Sequence, residues 1–532
     1  MFDTSLNLRR RRQSAVAPDP ALRGTRPGIV GLLAAAVAGA ASLFSFAPFG
    51  WWPLQFACLA YLFYQVGMGS SVRRATLLGW AFGFGWSVGA MYWLYVLMVH
   101  VAHLPAVLGV LGIVLLALYM GLFGAFATGV STWLRKRWSL PVPAFLLLVL
   151  PVAWGVSEWM RGWVFTGFPW SVSGYAHVDA PLAGYAPLVG VYGIGVLAAL
   201  CAGCVAMLTQ RRKLPAIGLC AALLVAGAGL RTIEWTHATG RPLSVRLLQG
   251  NIPQDQKFDY AFLTGILDTY RTMIEAAPAD LIATPETAIP IFAHQLPPGY
   301  MDDLQRFATA SRSTLAIGVP LLDGPTRYAN SLITLAPQAQ SHPYRYDKAH
   351  LVPFGEFIPP GFRWFTDMLN IPLNDATRGG GLQVPFGVKD QRVQPNICYE
   401  DVFGEEIAYQ LRNAPQPATV LLNVSNLSWY GQTTAVPQHL QISRMRALET
   451  GRPMLRATND GATAVIDPNG RVAQALPFYR AGVLSATVQG MAGTTPYIRL
   501  GNLLFLALGA LMLAGAWYAG RRRRVLDGQK PA

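Results

Sequence analysis

The stretch QPNICYEDVFGEE, residues 394–406, places one cysteine between a run typical of a β-strand and a run typical of a helix. Cys398 stands where the strand is expected to end, directly before Tyr399 and Glu400. No second cysteine lies near it in the sequence, so a local disulfide is not indicated. A cysteine that does chemistry needs a base and a positive group. These partners must come from other parts of the chain.

The composition of the chain is that of a membrane protein. Hydrophobic residues make up 52% of the 532 positions and charged residues only 13%, and the mean hydropathy is +0.33. These values are unusual for a soluble protein. The net charge of +15 comes from Lys and Arg groups that separate apolar segments. This distribution argues against nucleic-acid binding, which favours a basic patch on a folded surface.

Eight apolar segments are candidate membrane-spanning helices, because a bilayer core needs roughly 20 apolar residues per helix. They run near 29–48, 53–68, 76–99, 105–133, 141–158, 185–208, 214–231 and 498–519. The basic groups are at 9–12, 23, 26, 73–74, 135–137, 211–213 and 521–524. Since these groups fall at the termini or in alternate loops, the positive-inside rule places both termini in the cytoplasm.

This orientation divides the chain into five parts. They are a cytoplasmic basic tail at 1–28, a membrane domain of seven helices at 29–231, an extramembrane domain at 232–497, a last membrane helix at 498–519 and a second cytoplasmic basic tail at 520–532. The extramembrane domain lies on the side of the membrane opposite to the termini.

The extramembrane domain has short β-type runs separated by helical stretches. The runs are SVRLLQGN, DLIATPE, TLAIGVP, YANSLITLAP, RVQPNICYE, ATVLLNVSN and TAVIDPNGRV. The segments 259–276, 299–313 and 436–451 are predicted helices. This alternation indicates an α/β or mixed sandwich domain.

Three positions in this domain carry groups suited to acyl chemistry. Glu286, Lys348 and Cys398 each follow a predicted strand. A thiolate can attack a carbonyl, a carboxylate can take the thiol proton, and an ammonium can stabilise the oxyanion. We expect Lys348 to lower the pKa of the thiol, and apolar surroundings to raise the pKa of Glu286. Each residue alone also fits an ordinary structural role, whereas the combination is specific.

Other sites in the sequence are weaker candidates. His350 could pair with Cys398. His342, His350 and His439 do not have the spacing of metal ligands, and the domain has no G-x-S-x-G motif of a serine nucleophile. Cys201 and Cys204 form a C-x-x-C motif inside an apolar run, with no histidine or carboxylate beside it. We interpret these two cysteines as small apolar residues of a helix.

In their contexts, the three positions resemble the nitrilase, or carbon-nitrogen hydrolase, superfamily. TPE at 284–286, KAHLVPFGE at 348–356 and CYE at 398–400 match its three motifs in order. GNIPQ at 250–254, HLVPFGEFIP at 350–359, RMRALETGRPMLRATNDG at 444–461 and GFPW at 167–170 are similar to the apolipoprotein N-acyltransferase family. The resemblance implies a multi-pass bacterial inner-membrane protein that carries a nitrilase-like α-β-β-α sandwich in the periplasm.

The resemblance also implies a reaction in two steps. Cys398 would attack the sn-1 ester of a phospholipid, typically phosphatidylethanolamine, with Glu286 as general base and Lys348 as oxyanion stabiliser. The α-amine of an N-terminal diacylglyceryl-cysteine on an apolipoprotein would then take the acyl chain as an amide. No cofactor, metal or nucleic acid is implied, and a monomer is expected.

Six further residues match positions of the family. Glu356 resembles its second acidic residue, and Tyr399 and Glu400 match the pair after the cysteine. The positions that the family places near the lipid site are Trp170, Asn330 and Trp429.

The chain departs from the family pattern at two positions. Phe258 stands where the family often has Trp, and Leu427 stands where it often has Asp. The first change should keep an apolar contact without the indole N–H. The second removes a carboxylate and leaves Trp429 and the triad unchanged.

Two other functions remain open. A membrane-tethered amidase or nitrilase-type hydrolase would use the same triad with water as acceptor. A transporter or scaffold could carry an inactive domain, but all three triad residue types are present, and no span has the string of ionisable residues that a transport pathway needs.

Two loops also have alternative interpretations. The apolar loop 354–365 is either a lid over the site or an ordinarily packed loop. The aromatic loop 158–175 contains Trp159, Trp163 and Trp170, which are either interfacial belt residues or the floor of a lipid site.

Overall fold

The computed structural model describes residues 27–69, 71–209, 213–324, 327–338, 343–361, 363 and 376–526. Several sequence predictions fall outside these residues. They concern the basic groups at 9–12, 23, 26 and 211–212, most of the N-terminal tail, the last six residues, His342, and positions 362, 364 and 365 of the loop 354–365.

The described part of the chain begins as a helical region and becomes mixed α/β after residue 230. The helices, numbered in chain order, are α1 Ile29–Ala41, α2 Trp52–Met68, α3 Val72–Met91, α4 Ala106–Trp138, α5 Val142–Met160, α6 Ala186–Ala206, α7 Lys213–Leu230, α8 Gln254–Lys257, α9 Tyr260–Glu275, α10 Tyr300–Ser311, α11 Gly404–Asn413, α12 Ala435–Thr450, α13 Pro496–Leu500 and α14 Leu503–Leu526. The helices predicted at 259–276, 299–313 and 436–451 are confirmed as α9, α10 and α12.

Five helices among the described residues are long and apolar enough to cross a membrane. They are α4, α5, the stretch Pro181–Thr209 that contains α6, α7, and α14. The first three predicted spans are also helical, as α1 to α3. The third is shorter than expected, because α3 ends at Met91 and a separate π-helical turn, Val96–Val101, follows it.

Glycines let the first helices approach each other closely. A Cβ at Gly85 of α3 would overlap the backbone carbonyl of Ala36 in α1, and one at Gly39 would overlap that of Phe82. A Cβ at Gly79 would similarly meet the α4 backbone at Gly124. Small residues at helix contacts allow close backbone packing in membranes. This packing holds α3 against α1 and α4.

The strands of the second half form two six-stranded sheets and one small pair. The strands are β1 Thr236–Ala238, β2 Leu243–Gln249, β3 Leu281–Ala283, β4 Thr314–Leu322, β5 Tyr328–Leu335, β6 Arg345–Asp347, β7 Phe386–Val388, β8 Gln391–Ile397, β9 Val420–Ser425, β10 Met454–Thr458, β11 Ala464–Ile466, β12 Val472–Ala475, β13 Gly482–Val488 and β14 Met491–Gly493. Each β-type run predicted from the sequence overlaps one of them.

The two sheets have similar topologies. The first sheet has the order β13-β2-β3-β4-β5-β6, and the second has the order β12-β11-β10-β9-β8-β7. In each sheet three neighbouring strands are parallel, β2 to β4 in the first and β8 to β10 in the second. Parallel strands bring their carboxyl ends to one edge, where loops can gather functional side chains.

Three apolar cores hold the sheets and helices together. A shared core contains side chains from both sheets, among them Leu247, Ala283, Ile397, Val424 and Leu455. The helices α9 and α10 pack against the first sheet through a second core. The helices α11 and α12 pack against the second sheet through a third core. The cysteine turn after β8 lies at the end of the shared core.

The membrane helices and the α/β part share an apolar core as well. Tyr399, Phe403 and Met445 are buried in the same cluster as the membrane helices. Polar contacts cross the same boundary: Tyr175 donates its hydroxyl to the carbonyl of Val402 at 3.0 Å. The backbone N–H of Val191 in α6 donates to Glu449 of α12 at 2.8 Å. The segment that follows Cys398 is therefore packed directly on the membrane region.

We expect Gly85→Ala to destabilise the protein, because its Cβ would overlap the Ala36 carbonyl of a neighbouring helix. Overpacking of a close contact costs about 1–3 kcal/mol. Thermal unfolding in detergent should show a lower midpoint. The matched control is Gly218→Ala in α7, where no atom lies within 4 Å of the new Cβ. Equal midpoints for both variants would contradict the close packing of α1 on α3.

Candidate active site

The three predicted catalytic residues lie at the ends of three strands. Glu286 follows β3 of the first sheet, Lys348 follows β6 of the same sheet, and Cys398 follows β8 of the second. All three are buried, with side-chain exposures of 8% for Glu286 and 2% for Lys348, and 7% for Cys398 as a residue. The structure places Nζ of Lys348 3.1 Å from Oε1 of Glu286, and the charges of both residues act on the Cys398 thiol and its pKa.

Lys348 lies between two carboxylates. Its Nζ is 3.1 Å from Oε1 of Glu286 and 2.9 Å from Oε1 of Glu356. Asn330 of β5 donates its Nδ2 to the same two oxygens, at 2.8 Å and 2.9 Å. The backbone N–H of Val352 donates to the other oxygen of Glu356 at 2.8 Å. A buried charge needs such compensation, and here each charge has a direct partner.

Glu286 also has partners outside the Lys348 network. The backbone N–H of Asn426, directly after β9, donates to Oε2 of Glu286 at 2.9 Å. Lys257 of α8, itself 2% exposed, donates its Nζ to the backbone carbonyl of Glu286 at 3.1 Å. The carboxylate therefore has one oxygen in the Lys348 network and the other on a backbone amide.

Cys398 has a backbone conformation that side chains rarely adopt. Its φ is +51°, which lies in the left-handed region and is strained for a residue with a Cβ. The residue opens the short helical turn Cys398–Val402 directly after β8. Such a sharp strand-to-helix turn projects a nucleophilic side chain from the sheet edge, as a nucleophile elbow does.

Glu400 ties the cysteine turn to the lysine loop. Its Oε2 accepts from the backbone N–H of Ile397 at 2.6 Å and from the hydroxyl of Tyr346 at 2.9 Å. Its Oε1 accepts from the backbone N–H of Ala349 at 2.6 Å and of His350 at 3.2 Å. One carboxylate thereby fixes the residues adjoining both Cys398 and Lys348, which gives Glu400 a positioning role.

The pKa of Glu286 departs from the sequence expectation. Burial favours the neutral acid, but Lys348, Asn330 and Lys257 together outweigh it and hold the pKa below its usual value. The expectation of a raised pKa was therefore wrong, because the apolar strand before Glu286 does not describe its polar surroundings. At neutral pH the carboxylate is ionised and can accept a proton.

Opposing effects act on the pKa of the Cys398 thiol. Burial and the carboxylates of Glu286 and Glu356 raise it well above its usual value, although Lys348 acts in the opposite direction. Lys348 does lower the pKa of the thiol as expected, but burial and the nearby carboxylates outweigh it, so the thiol is neutral at rest. For Lys348 itself, burial opposes the charge, but these carboxylates raise its pKa and keep it protonated.

The aromatic residues predicted near a lipid site take different positions. Trp170 is buried, donates its Nε1 to Gln438 at 2.8 Å and stacks on His439 at 5.7 Å between ring centres. Trp429 is half-buried in the short turn Ser428–Tyr430. Tyr399 donates its hydroxyl to the carbonyl of Gly167 at 3.0 Å. Trp170 and Tyr399 thus join the GFPW loop to the cysteine side of the α/β part.

Exposure separates the tryptophans of the aromatic loop 158–175. Trp163 is 53% exposed, as a belt residue would be, whereas Trp170 is 2% exposed. The segment around Trp170 is fixed from within, because Glu158 accepts hydrogen bonds from the backbone N–H and the hydroxyl of Ser173, at 2.9 Å and 2.6 Å. The exposure of Trp163 fits the belt interpretation, and the interpretation of this loop as the floor of a lipid site stays a prediction.

His350 has partners other than Cys398. Its Nδ1 lies 2.8 Å from Glu406, its Nε2 lies 3.0 Å from the carbonyl of Thr166, and its ring stacks on Phe403. With both ring nitrogens engaged, the histidine is not placed to act as base for Cys398. Within the residues that the structure describes, no group of three or more His, Cys, Asp or Glu side chains is arranged to hold a metal ion.

Sequence reasoning missed three residues near the triad. Asn426 contributes through its backbone, which no side-chain motif reveals. Lys257 lies three positions after the GNIPQ motif at 250–254, which was the signal available for it. Tyr430 packs against both the membrane core and the core that contains Cys398, with its ring 4.6 Å from that of Trp93. The signal available for Tyr430 was its position beside Trp429.

A second buried ionic cluster contacts the cysteine turn through Asp401. Asp401 lies 3.0 Å from Nε2 of His439 and 3.1 Å from Nη1 of Arg456. Nη2 of Arg456 contacts Nδ1 of His439 at 2.8 Å. These residues are at most 1% exposed. Since Trp170 stacks on His439, the cluster connects the aromatic loop to the turn that carries Cys398.

Two family descriptions match consecutive parts of the chain. The apolipoprotein N-acyltransferase N-terminal domain matches residues 38–204. The carbon-nitrogen hydrolase family matches residues 244–497, which include all three predicted catalytic residues.

Curated proteins are similar over nearly the whole chain. An apolipoprotein N-acyltransferase of Ralstonia nicotianae is 48% identical over 92% of this chain and 93% of its own length. One of Bordetella bronchiseptica is 44% identical over 92% of this chain and 97% of its own. Among solved structures, an amidase from Nesterenkonia sp. is 18% identical over 50% of this chain and 94% of its own, with a TM-score of 0.36.

We expect the charges around Cys398 to set its reactivity toward iodoacetamide. Alkylation of the wild-type thiol should be slow at neutral pH and rise into the alkaline range, because the pKa of Cys398 is raised. Glu286→Gln should shift this rise to lower pH, since it removes a negative neighbour. Lys348→Met should shift it to higher pH. Mass spectrometry of the peptide that contains Cys398 gives the rates.

Asp268→Asn, in α9 away from the site, is the control for the loss of one carboxylate. Shifts of Glu286→Gln and Lys348→Met in the same direction would contradict the electrostatic arrangement. So would a wild-type thiol that is already fully reactive at neutral pH.

Proposed function

The chain belongs to the apolipoprotein N-acyltransferase family and is a membrane-bound acyltransferase, and from that premise we propose how its site works. Cys398 carries the acyl chain as a thioester between a phospholipid donor and the α-amine of an apolipoprotein. The observation that carries this proposal is the buried Lys348 between Glu286 and Glu356, at the strand ends beside Cys398.

The first step of the proposed reaction forms the thioester. The ionised Glu286 takes the proton of the neutral Cys398 thiol as sulfur attacks the ester carbonyl at sn-1 of the phospholipid. The charged Lys348 stabilises the negative oxygen of the tetrahedral intermediate. When the intermediate collapses, the C–O bond breaks and Glu286 returns the proton to the leaving alkoxide. A lysophospholipid leaves, and the acyl chain stays on sulfur.

The second step transfers the acyl chain to nitrogen. The neutral α-amine of a diacylglyceryl-cysteine attacks the thioester carbonyl, and Glu286 accepts a proton from that amine. The C–S bond breaks, and the sulfur takes the proton back from Glu286. The product is an amide, and the enzyme returns to its starting state. No cofactor is needed, since the donor is already an ester.

Burial of the triad supports transfer over hydrolysis. Glu286, Lys348 and Cys398 are all enclosed, and a site that excludes water protects a thioester from hydrolysis until the amine arrives. A site packed on membrane helices also meets both lipid substrates at the membrane surface, which raises their effective concentration. The triad alone would equally serve a hydrolase, so the acceptor is the point to test.

We propose roles for the remaining predicted residues from their contacts. Asn330 and Glu356 hold Glu286 and Lys348 in register through their shared hydrogen bonds. Trp429, which is half-buried, would line the approach of the lipid, and the buried Trp170 would contribute to the aromatic surroundings of the lipid site, as its matching family position implies. Tyr399 would also offer its backbone N–H to the oxyanion.

We propose the architecture that the family resemblance implies. The core shared by the two sheets, with α9 and α10 outside one and α11 and α12 outside the other, supports an α-β-β-α sandwich. The basic residues at 73–74, 135–137 and 521–524 support eight spans with both termini cytoplasmic. In a bacterial inner membrane, the catalytic domain would then be periplasmic. We propose a monomer.

We expect the isolated protein to carry an acyl group on Cys398 that hydroxylamine removes. Cys398→Ala should abolish the adduct, because it removes the sulfur. Glu286→Ala and Lys348→Ala should prevent its formation, because the thiol proton and the oxyanion then have no partner. Intact-mass and peptide mass spectrometry, with phospholipid supplied in detergent, measure the adduct.

Cys220→Ala, in α7, is the control for loss of a thiol outside the site. An undiminished adduct in Cys398→Ala would sink the thioester mechanism. Addition of a diacylated lipopeptide should convert the adduct into an N-acyl lipopeptide. Release of free fatty acid in its place would instead establish the hydrolase.

We expect a cysteine at position 241 to react with a membrane-impermeant maleimide added to spheroplasts, and a cysteine at position 136 to remain unlabelled. Arg241 is exposed in the α/β part, with 79% of its side chain accessible, and Lys136 is exposed near the end of α4. Labelling of both should follow only after lysis. The reverse pattern would overturn the proposed orientation.

A further inference from the structure

A second buried lysine lies beside the catalytic carboxylate. Lys257 ends the short helix α8, and only 2% of the residue is exposed. Its Nζ donates to the backbone carbonyl of Glu286 at 3.1 Å. The amide of Asn426 fits its surroundings with its oxygen 3.3 Å from Nζ of Lys257 and 3.3 Å from Nε1 of Trp429. The ammonium is therefore enclosed by groups of the active site.

Burial of an ammonium is costly unless opposite charges and hydrogen bonds around it compensate the loss of hydration. Lysine is usually exposed, and a buried carbonyl could be satisfied by a neutral donor. The groups that face Lys257 are charged or become charged during the proposed reaction. They are Glu286, Asp460 and Cys398. This position suggests that the charge itself is used, and not only the N–H donors.

Without Lys257 the site carries an excess of negative charge. Glu286 and Glu356 contribute two negative charges, while Lys348 contributes one positive charge. A net negative site would resist a thiolate and an oxyanion, since like charges repel strongly in a low dielectric. Lys257 offsets one of these negative charges, while Asp460, which also acts on Lys257, adds a further one. The developing negative charge therefore forms in a less negative site when Lys257 is protonated.

We propose that Lys257 is a positioning residue of the acyl-transfer reaction: it fixes the Glu286 loop and supplies the second positive charge that the two carboxylates require. The inference rests on the proposed function, in which Cys398 attacks an ester and an oxyanion forms. It does not require Lys257 to touch the substrate.

The proposal implies a pH dependence on the alkaline side. Burial lowers the pKa of Lys257 to about 8, although Glu286, Asp460 and Cys398 favour its charged form. Burial raises the pKa of Asp460 to about 6, so both groups are charged at pH 7. As the pH rises through about 8, Lys257 loses its proton and the site becomes more negative. Thioester formation should then decline.

The wild-type protein and two variants test the proposal. Initial rates of Cys398 acylation from phosphatidylethanolamine in detergent are measured from pH 6 to 10. The wild-type rate should fall with a midpoint near pH 8 because Lys257 deprotonates there. Lys257→Arg should keep the charge and lack this decline, since arginine stays protonated. Lys257→Met should lower the rate at pH 7 by roughly tenfold or more. A factor of ten is the effect expected if loss of the charge raises the pKa of the Cys398 thiol by about one unit.

A measurement without a lipid substrate tests the role of Lys257 separately from the proposed acyl-transfer function. Alkylation of Cys398 by iodoacetamide is measured at one pH just below 8, where Lys257 of the wild-type protein is still charged. It should be slower in Lys257→Met, because a positive neighbour of the thiolate is gone. Lys389→Met, which removes a half-exposed lysine far from the triad, should change neither alkylation nor acylation. Thermal unfolding of each variant shows whether the fold is intact.

The outcomes are distinct. If the wild-type protein forms no acyl adduct, the proposed function fails. If it does, and Lys257→Met matches the wild-type acylation and alkylation rates, the role of Lys257 is overturned. A wild-type profile without a decline near pH 8 also overturns it, even if both variants fail to fold. Slow acylation and alkylation in folded Lys257→Met, with acylation retained by Lys257→Arg at pH 9, support it.

Discussion

The ionic contact of Lys348 with Glu286 and Glu356 is the constraint on which the site depends. Three charged groups are removed from water, and each is tolerable only while the others remain within hydrogen-bond distance. Asn330 contacts both carboxylates and fixes their separation. The same network explains the protonation states. It holds Glu286 ionised and Lys348 charged, and it leaves the Cys398 thiol neutral until a substrate arrives.

The cysteine turn has a strained backbone, and contacts on two sides hold it in place. Glu400 ties it to the lysine loop inside the α/β part. Asp401 ties it to a second buried ionic cluster that Trp170 of the aromatic loop covers. A strained conformation persists only where its surroundings hold it. The helical membrane region thus contributes to the geometry of the cysteine turn through the contact of Trp170 with His439.

Much of the fold could be predicted from the sequence, because helices and strands depend on local residue patterns. Apolar length marked the helices, and alternation between β-type runs and amphipathic segments marked the strands and the helices α9, α10 and α12. The limits of that approach appear at α3, where an expected single span divides into a helix and a π-helical turn. The helix packing there depends on Gly85 and Gly79 meeting other helices, which hydropathy does not register.

The sequence by itself determined which chemical groups are available: a carboxylate, an ammonium and a thiol, each after a strand and each in a recognisable motif. Only the tertiary structure decided their properties. The pKa of Glu286 is lowered, opposite to the expectation, and that of Cys398 is raised despite the lowering effect of Lys348, because a pKa depends on burial and on charges brought close by the fold. Lys257 likewise reaches Glu286 only through the approach of α8 to the end of β3.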